Sequence, residues 1–223
     1  MRTDGAGGSD IGISSRAGWT DGRGPGLTTE PNPKQTIALE FPHAWQAEIL
    51  PARPLILPKR HFTYPGEAEE VERGALEVSI RPEAVHAQAF LATCALGFRD
   101  PAAPTGIWST PAPGTICAVA GGYAYLIETA APERFTMLHY RPVLEVRAAV
   151  EAGLLLFAGH RSILAWGASG QAWESAKLSD EGVTMVKIDR GCLHGTGWEM
   201  MGDRERPFTI DLRNGALLSA PGA

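Results

Sequence analysis

Six histidines, His43, His61, His86, His139, His160 and His194, are the side chains of this sequence best suited to metal ligation or to proton transfer near neutral pH. No two of them stand two or four residues apart and no H-E-x-x-H run occurs, so no local metal pair is encoded. His160 and His194 are the pair that folding could unite. Both fall in predicted turns of successive hairpins, where their rings would converge at one end of the sheets with Glu174 or Asp203. Such a group would suit acid–base or metal-dependent hydrolysis. The alternative is that both rings are solvated or bonded to backbone.

Other chemistry is weaker. Gly167-Ala168-Ser169-Gly170 misses the G-x-S-x-G pattern by one residue, and no helix follows to build a nucleophile elbow. The glycines at 5, 7, 8, 22, 24 and 26 have neither a preceding strand nor a following Lys-Ser/Thr, so a phosphate cradle is not expected. Arg204 and Arg206 alternate with Asp203 and Glu205 in a mixed-charge loop. The sequence therefore predicts no catalytic constellation, metal centre or cofactor site. Tryptophans 166, 173 and 198, with Trp108, Tyr123 and Tyr125, read first as core. The sharper reading is that Trp173 and Glu174, beside a glycine turn, line a groove for a peptide or small ligand. Trp173, Glu174, His160 and His194 are the candidate ligand-binding residues.

The elements that would carry these groups centre on Leu154 to Ser175. Leu154–Phe157 and Ile163–Trp166 are apolar runs of strand length, closed by Gly159 and Gly167. A four-residue gap at 159–162 and a second reversal at 168–170 suit hairpin loops, and Ala172–Ser175 supplies a third strand. The stretch reads as a three-stranded antiparallel meander.

The chain has 223 residues, 44% hydrophobic and 20% charged, with a net charge of -5. That balance suits a soluble globular protein and gives no electrostatic reason to expect nucleic acid or an anionic membrane as partner. Cys94, Cys117 and Cys192 form no C-x-x-C and are read as buried free thiols. The N-terminus lacks the apolar centre of a signal peptide and no run reaches the length of a membrane span, so a cytoplasmic location is the expectation.

Residues 1–34 hold eight glycines and three prolines and read as a disordered leader, with Trp19 the one residue able to anchor a partner. Residues 35–223 read as a single β-rich domain. Pro42, Pro51, Pro54, Pro58 and Pro65 mark an extended segment over 42–65, draped over the domain by Ile49, Leu50, Leu55, Ile56 and Leu57. Leu76, Val78 and Ile80 alternate with polar residues as a half-buried strand should. Val85–Phe98 is ambiguous between a central strand and a short helix. Ile116–Val119 and Tyr123–Ile127 flank Gly121-Gly122 as a hairpin, and Asn214-Gly215 signals another.

Glycine is followed seven residues later by tryptophan at Gly159 and Trp166 and again at Gly191 and Trp198, an offset of 32; Gly122 lies 37 residues before Gly159. Turn-and-return units at this spacing are blade-like. Phe208-Thr209-Ile210-Asp211-Leu212-Arg213-Asn214-Gly215 resembles the strand and turn that close a blade in quinoprotein-type β-propellers, where an aspartate precedes a Thr-Gly or Asn-Gly turn. The resemblance covers about eight residues and implies no function. The expected fold is all-β: antiparallel meander sheets, in a partial-propeller-like stack or a two-sheet sandwich.

Two functions remain open. One is a non-catalytic module that binds a protein or a small molecule, with a homodimer expected if an apolar sheet edge stays open. The other is a small hydrolase or metal-dependent enzyme using His160, His194 and a carboxylate.

Overall fold

A computed structural model describes residues 35–66, 74–98 and 103–219. The leader expected over 1–34 lies outside the described residues.

The described chain is nearly all β, in four sheets that follow one another along the sequence. Sheet I holds β2 (Trp45–Ile49), β3 (His61–Tyr64), β4 (Ala75–Pro82) and β5 (Phe90–Ala95) in the order β2-β4-β5-β3. Sheet II is the meander β6 (Gly106–Ser109), β7 (Thr115–Ala120), β8 (Tyr123–Glu128) and β9 (Phe135–Met137), with β1 (Thr36–Ala38) added beside β6. Sheet III is the meander β10 (Glu145–Ala149), β11 (Leu154–Ala158), β12 (Ile163–Gly167) and β13 (Gly170–Glu174). Sheet IV is the meander β14 (Val183–Asp189), β15 (Cys192–Glu199), β16 (Arg204–Asp211) and β17 (Leu217–Ser219). Pairing is antiparallel except where β1 joins β6 and β3 joins β5.

Three apolar cores fill the spaces between successive sheets, so the sheets stack I-II-III-IV and the two-sheet sandwich is set aside. Alternation along each strand shows why. In β11, Leu154 and Leu156 face sheet IV and its Met185, Leu193 and Ile210, whereas Leu155 and Phe157 face sheet II and its Cys117, Val119 and Leu126. In β7, Ile116 and Ala118 face sheet I, where Val78, Ile80 and Phe90 meet them. Strands covered on both faces must be apolar throughout, which is why LLLFA and TICAVA are continuous runs. Both tyrosine hydroxyls that enter the first core are bonded, Tyr125 Oη donating to the Ala95 carbonyl at 2.9 Å and Tyr64 Oη to that of Pro132 at 2.8 Å, whereas the buried Trp45 indole N–H has no partner among the described residues.

Four sequence readings change in detail. The segment over 42–65 is extended, but both its ends are strands of sheet I, and Leu55, Ile56 and Leu57 project outward at 104%, 88% and 41% exposure instead of fastening it down. Val85–Phe98 resolves into a buried central strand from Phe90, with Val85 exposed in the bend before it. Gly191 precedes the second strand of sheet IV and Trp198 lies near that same strand's end, whereas Gly159 follows the second strand of sheet III and Trp166 lies in its third, so these two pairs are not equivalent. The real repeat is the first strand of the meander in sheets II, III and IV, beginning at Gly106, Glu145 and Val183, 39 and 38 residues apart. Finally, of the three free cysteines, Cys94 and Cys117 are buried as expected while Cys192 is half-exposed.

The turn that resembles a blade end closes sheet IV against sheet III. Asp211 carboxylate oxygens accept from the Arg213 main-chain N–H and guanidinium, and the Gly215 N–H donates to the Asp211 carbonyl. That places Gly215, at φ +73, on the face of Trp173.

Candidate functional site

Where sheet II ends at β9 and sheet III ends at β13, the core between them opens to solvent as a groove. Thr136 of β9 points into it, because its neighbours Phe135 and Met137 pack toward sheet I. Trp166 of β12 forms the inner wall, since Ile163 and Ala165 take the opposite, sheet IV side of the same strand. Two adjoining hollows share Thr136 and Trp166. The larger, about 600 Å³, continues past Phe135, Ser169 and Gly170 to Glu128, Glu133 and Arg134. The smaller, about 270 Å³, runs past His139 and Tyr140 to Gln171 and Glu174.

Glu174 is held at the rim. The Ser162 hydroxyl donates to its Oε1 at 2.9 Å, and the Tyr140 hydroxyl donates to the Ser162 carbonyl. Burial is the largest influence on Tyr140 and pushes its phenol above the usual range, so the ring is a neutral donor. Gly159 makes room for that ring; a Cβ there would lie 2.7 Å from Tyr140 Oη. At the other end Arg134 Nη2 lies 2.6 Å from Glu128 Oε2, an exposed ion pair that adds little to stability.

The four candidate residues from the sequence have different fates. Trp173 is buried in the core between sheets III and IV, its indole N–H donating to the Leu212 carbonyl at 2.9 Å. Glu174, one residue on, emerges on the opposite face of β13 and enters the groove. His160 is exposed in the turn between β11 and β12, where its carbonyl accepts from Gly182 at the head of β14. His194 pairs with Lys187 further along β14, and its ring sits on the outer side of sheet IV with Nδ1 3.0 Å from Thr209 Oγ1. At about 3.3 Å per strand residue the two histidine backbones are roughly 15 Å apart. The fold does not bring them together, and Asp203 is exposed in the turn between β15 and β16.

Sequence reasoning missed Thr136, Tyr140 and Trp166 as groove residues. It also missed a bonded line on the outer side of sheet I. There the Thr93 hydroxyl, wholly buried, donates to Glu77 Oε2 at 2.6 Å and lies 2.8 Å from His61 Nε2. Since the Thr93 proton is committed to Glu77, His61 Nε2 is the donor in its bond and carries hydrogen. Burial, then Arg53, lowers the His61 pKa. Three-member His/Cys/Asp/Glu groups able to hold a metal are absent among the described residues. No helix among them is long and apolar enough to cross a membrane.

No protein-family model matches the chain, and no curated protein matches it.

Proposed function

We propose that this chain is a non-catalytic binding module whose site is the groove between sheets II and III. The single observation that carries the reading is Trp166: a half-buried indole forming the shared wall of two adjoining hollows, between the last strands of neighbouring sheets. An aromatic face with convergent hydroxyl, amide and carboxylate groups is how proteins bind ligands without reacting with them. A protein segment or small molecule at this face, in a cytoplasmic setting, is the form the proposal takes.

Arrays of short peptides and of glycans, probed with the full chain and with Trp166→Ala, test it. Binders lost by Trp166→Ala at unchanged melting temperature support the groove; binders kept at full strength place the site elsewhere and overturn it.

A further inference from the structure

Resting on the reading of the groove as the binding site, we infer that its occupant is an extended peptide segment that adds as a strand to β9 and lays a lysine or arginine side chain over Trp166. Three observations carry this.

First, β9 is the last strand of sheet II and has a partner on one side only among the described residues. The Arg134 carbonyl and the Leu138 N–H bond to β8, at Glu128 and Ala124. Antiparallel alternation therefore turns the main-chain groups of Phe135 and Met137 to the open side. An unpaired edge of this kind is a template for a further strand.

Second, the added strand has a floor. β13 and the outer end of β12 lie under the smaller hollow beside β9, with Gln171 and Glu174 exposed there. A strand placed next to β9 covers these side chains and Trp166, burying apolar ring surface that is otherwise wet.

Third, the charge of the lining selects the occupant. Glu128, Glu133 and Glu174 oppose one guanidinium, Arg134, which already faces Glu128. A cation above the Trp166 face gains both the ring quadrupole and the Glu174 carboxylate. An acidic segment meets repulsion at both ends.

Three nine-residue peptides of one alternating Thr/Val framework, bearing two lysines, two glutamates or two glutamines, are titrated against the full chain by calorimetry. The lysine peptide binds at least tenfold more tightly than the glutamate peptide, and weakens as salt rises. Glu174→Gln and Trp166→Ala each reduce its affinity several-fold. Methylating its main-chain nitrogens in one alternate phase abolishes binding while the complementary phase retains it, since only one set of N–H groups faces β9. Equal binding of lysine and glutamate peptides, or of both methylated phases, overturns the inference. If other compounds bind in a Trp166-dependent way while none of these peptides does, the inference fails and the groove stands. If nothing binds in a Trp166-dependent way, both fall.

Discussion

Gly215 packs flat against the Trp173 ring: a Cβ built on it would lie 2.6 Å from Cε3 and 2.8 Å from Cδ2. With the Trp173 indole N–H bonded to the Leu212 carbonyl, one turn of sheet IV is clasped to one side chain of sheet III. Substituting the glycine pushes a methyl group into a filled place as well as straining a left-handed φ of +73. Gly153, at φ +63 with open space around it, carries the strain without the clash. Urea titration of Gly215→Ala and Gly153→Ala separates the two effects. The Gly153 variant loses about 1 kcal/mol, the Gly215 variant clearly more, and Trp173→Ala about 3–5 kcal/mol as an emptied core position.

Thr93 stands between two groups that need it. Thr93→Val leaves the Glu77 carboxylate, 5% exposed, without that hydroxyl donor. The expected loss is about 1–3 kcal/mol by chemical denaturation, whereas Ser79→Val, on an exposed position of the neighbouring strand β4, changes little.

His61 makes stability depend on pH. Its folded pKa lies below the unfolded 6.5, so the folded chain holds fewer protons there and stability rises with pH across that window. Stability therefore declines as pH falls below about 6.5 and levels off once pH is under the folded value. Melting temperatures from pH 5 to 7.5 show this slope in the native chain and a smaller one in His61→Gln.

Thiol reactivity separates the cysteines. Burial pushes the Cys94 and Cys117 thiols far above their ordinary range and hides them, whereas Cys192 is half-exposed beside the β14–β15 turn. Iodoacetamide at neutral pH followed by mass spectrometry gives one adduct on the folded chain, at Cys192, and three after unfolding.

Gly159→Ala pushes on the Tyr140 ring and so loosens Ser162 and Glu174. Ligand affinity falls several-fold with only a modest drop in melting temperature, both read on the same preparation.

Local pairing was legible in the sequence. The hairpins β7–β8 and β11–β12–β13 follow from apolar runs of strand length between glycine turns, and their contacts are close in sequence. The long-range parallel additions were not: β3 meets β5 across 30 residues, His61 against Leu91, and β1 meets β6 across 70, Thr36 against Gly106, with no local pattern to announce either. The site shows the same division. Trp166 and Trp173 look alike in sequence, and which of them is core depends on the face each strand turns toward sheet IV. Parity offered a partial signal: if Trp173 is buried, Glu174 must face the other way. Nothing local placed Thr136 of sheet II opposite Trp166 of sheet III.

A ligand held at Trp166 changes the surroundings of that indole and leaves the core tryptophan untouched. The most direct measurement is the indole N–H resonance of each tryptophan in a nitrogen-15 correlation spectrum as the lysine peptide is added. The Trp166 resonance moves in proportion to occupancy while that of Trp173, locked on the Leu212 carbonyl, stays in place. Movement at Trp198 or Trp173 with Trp166 unchanged contradicts a ligand site at Trp166.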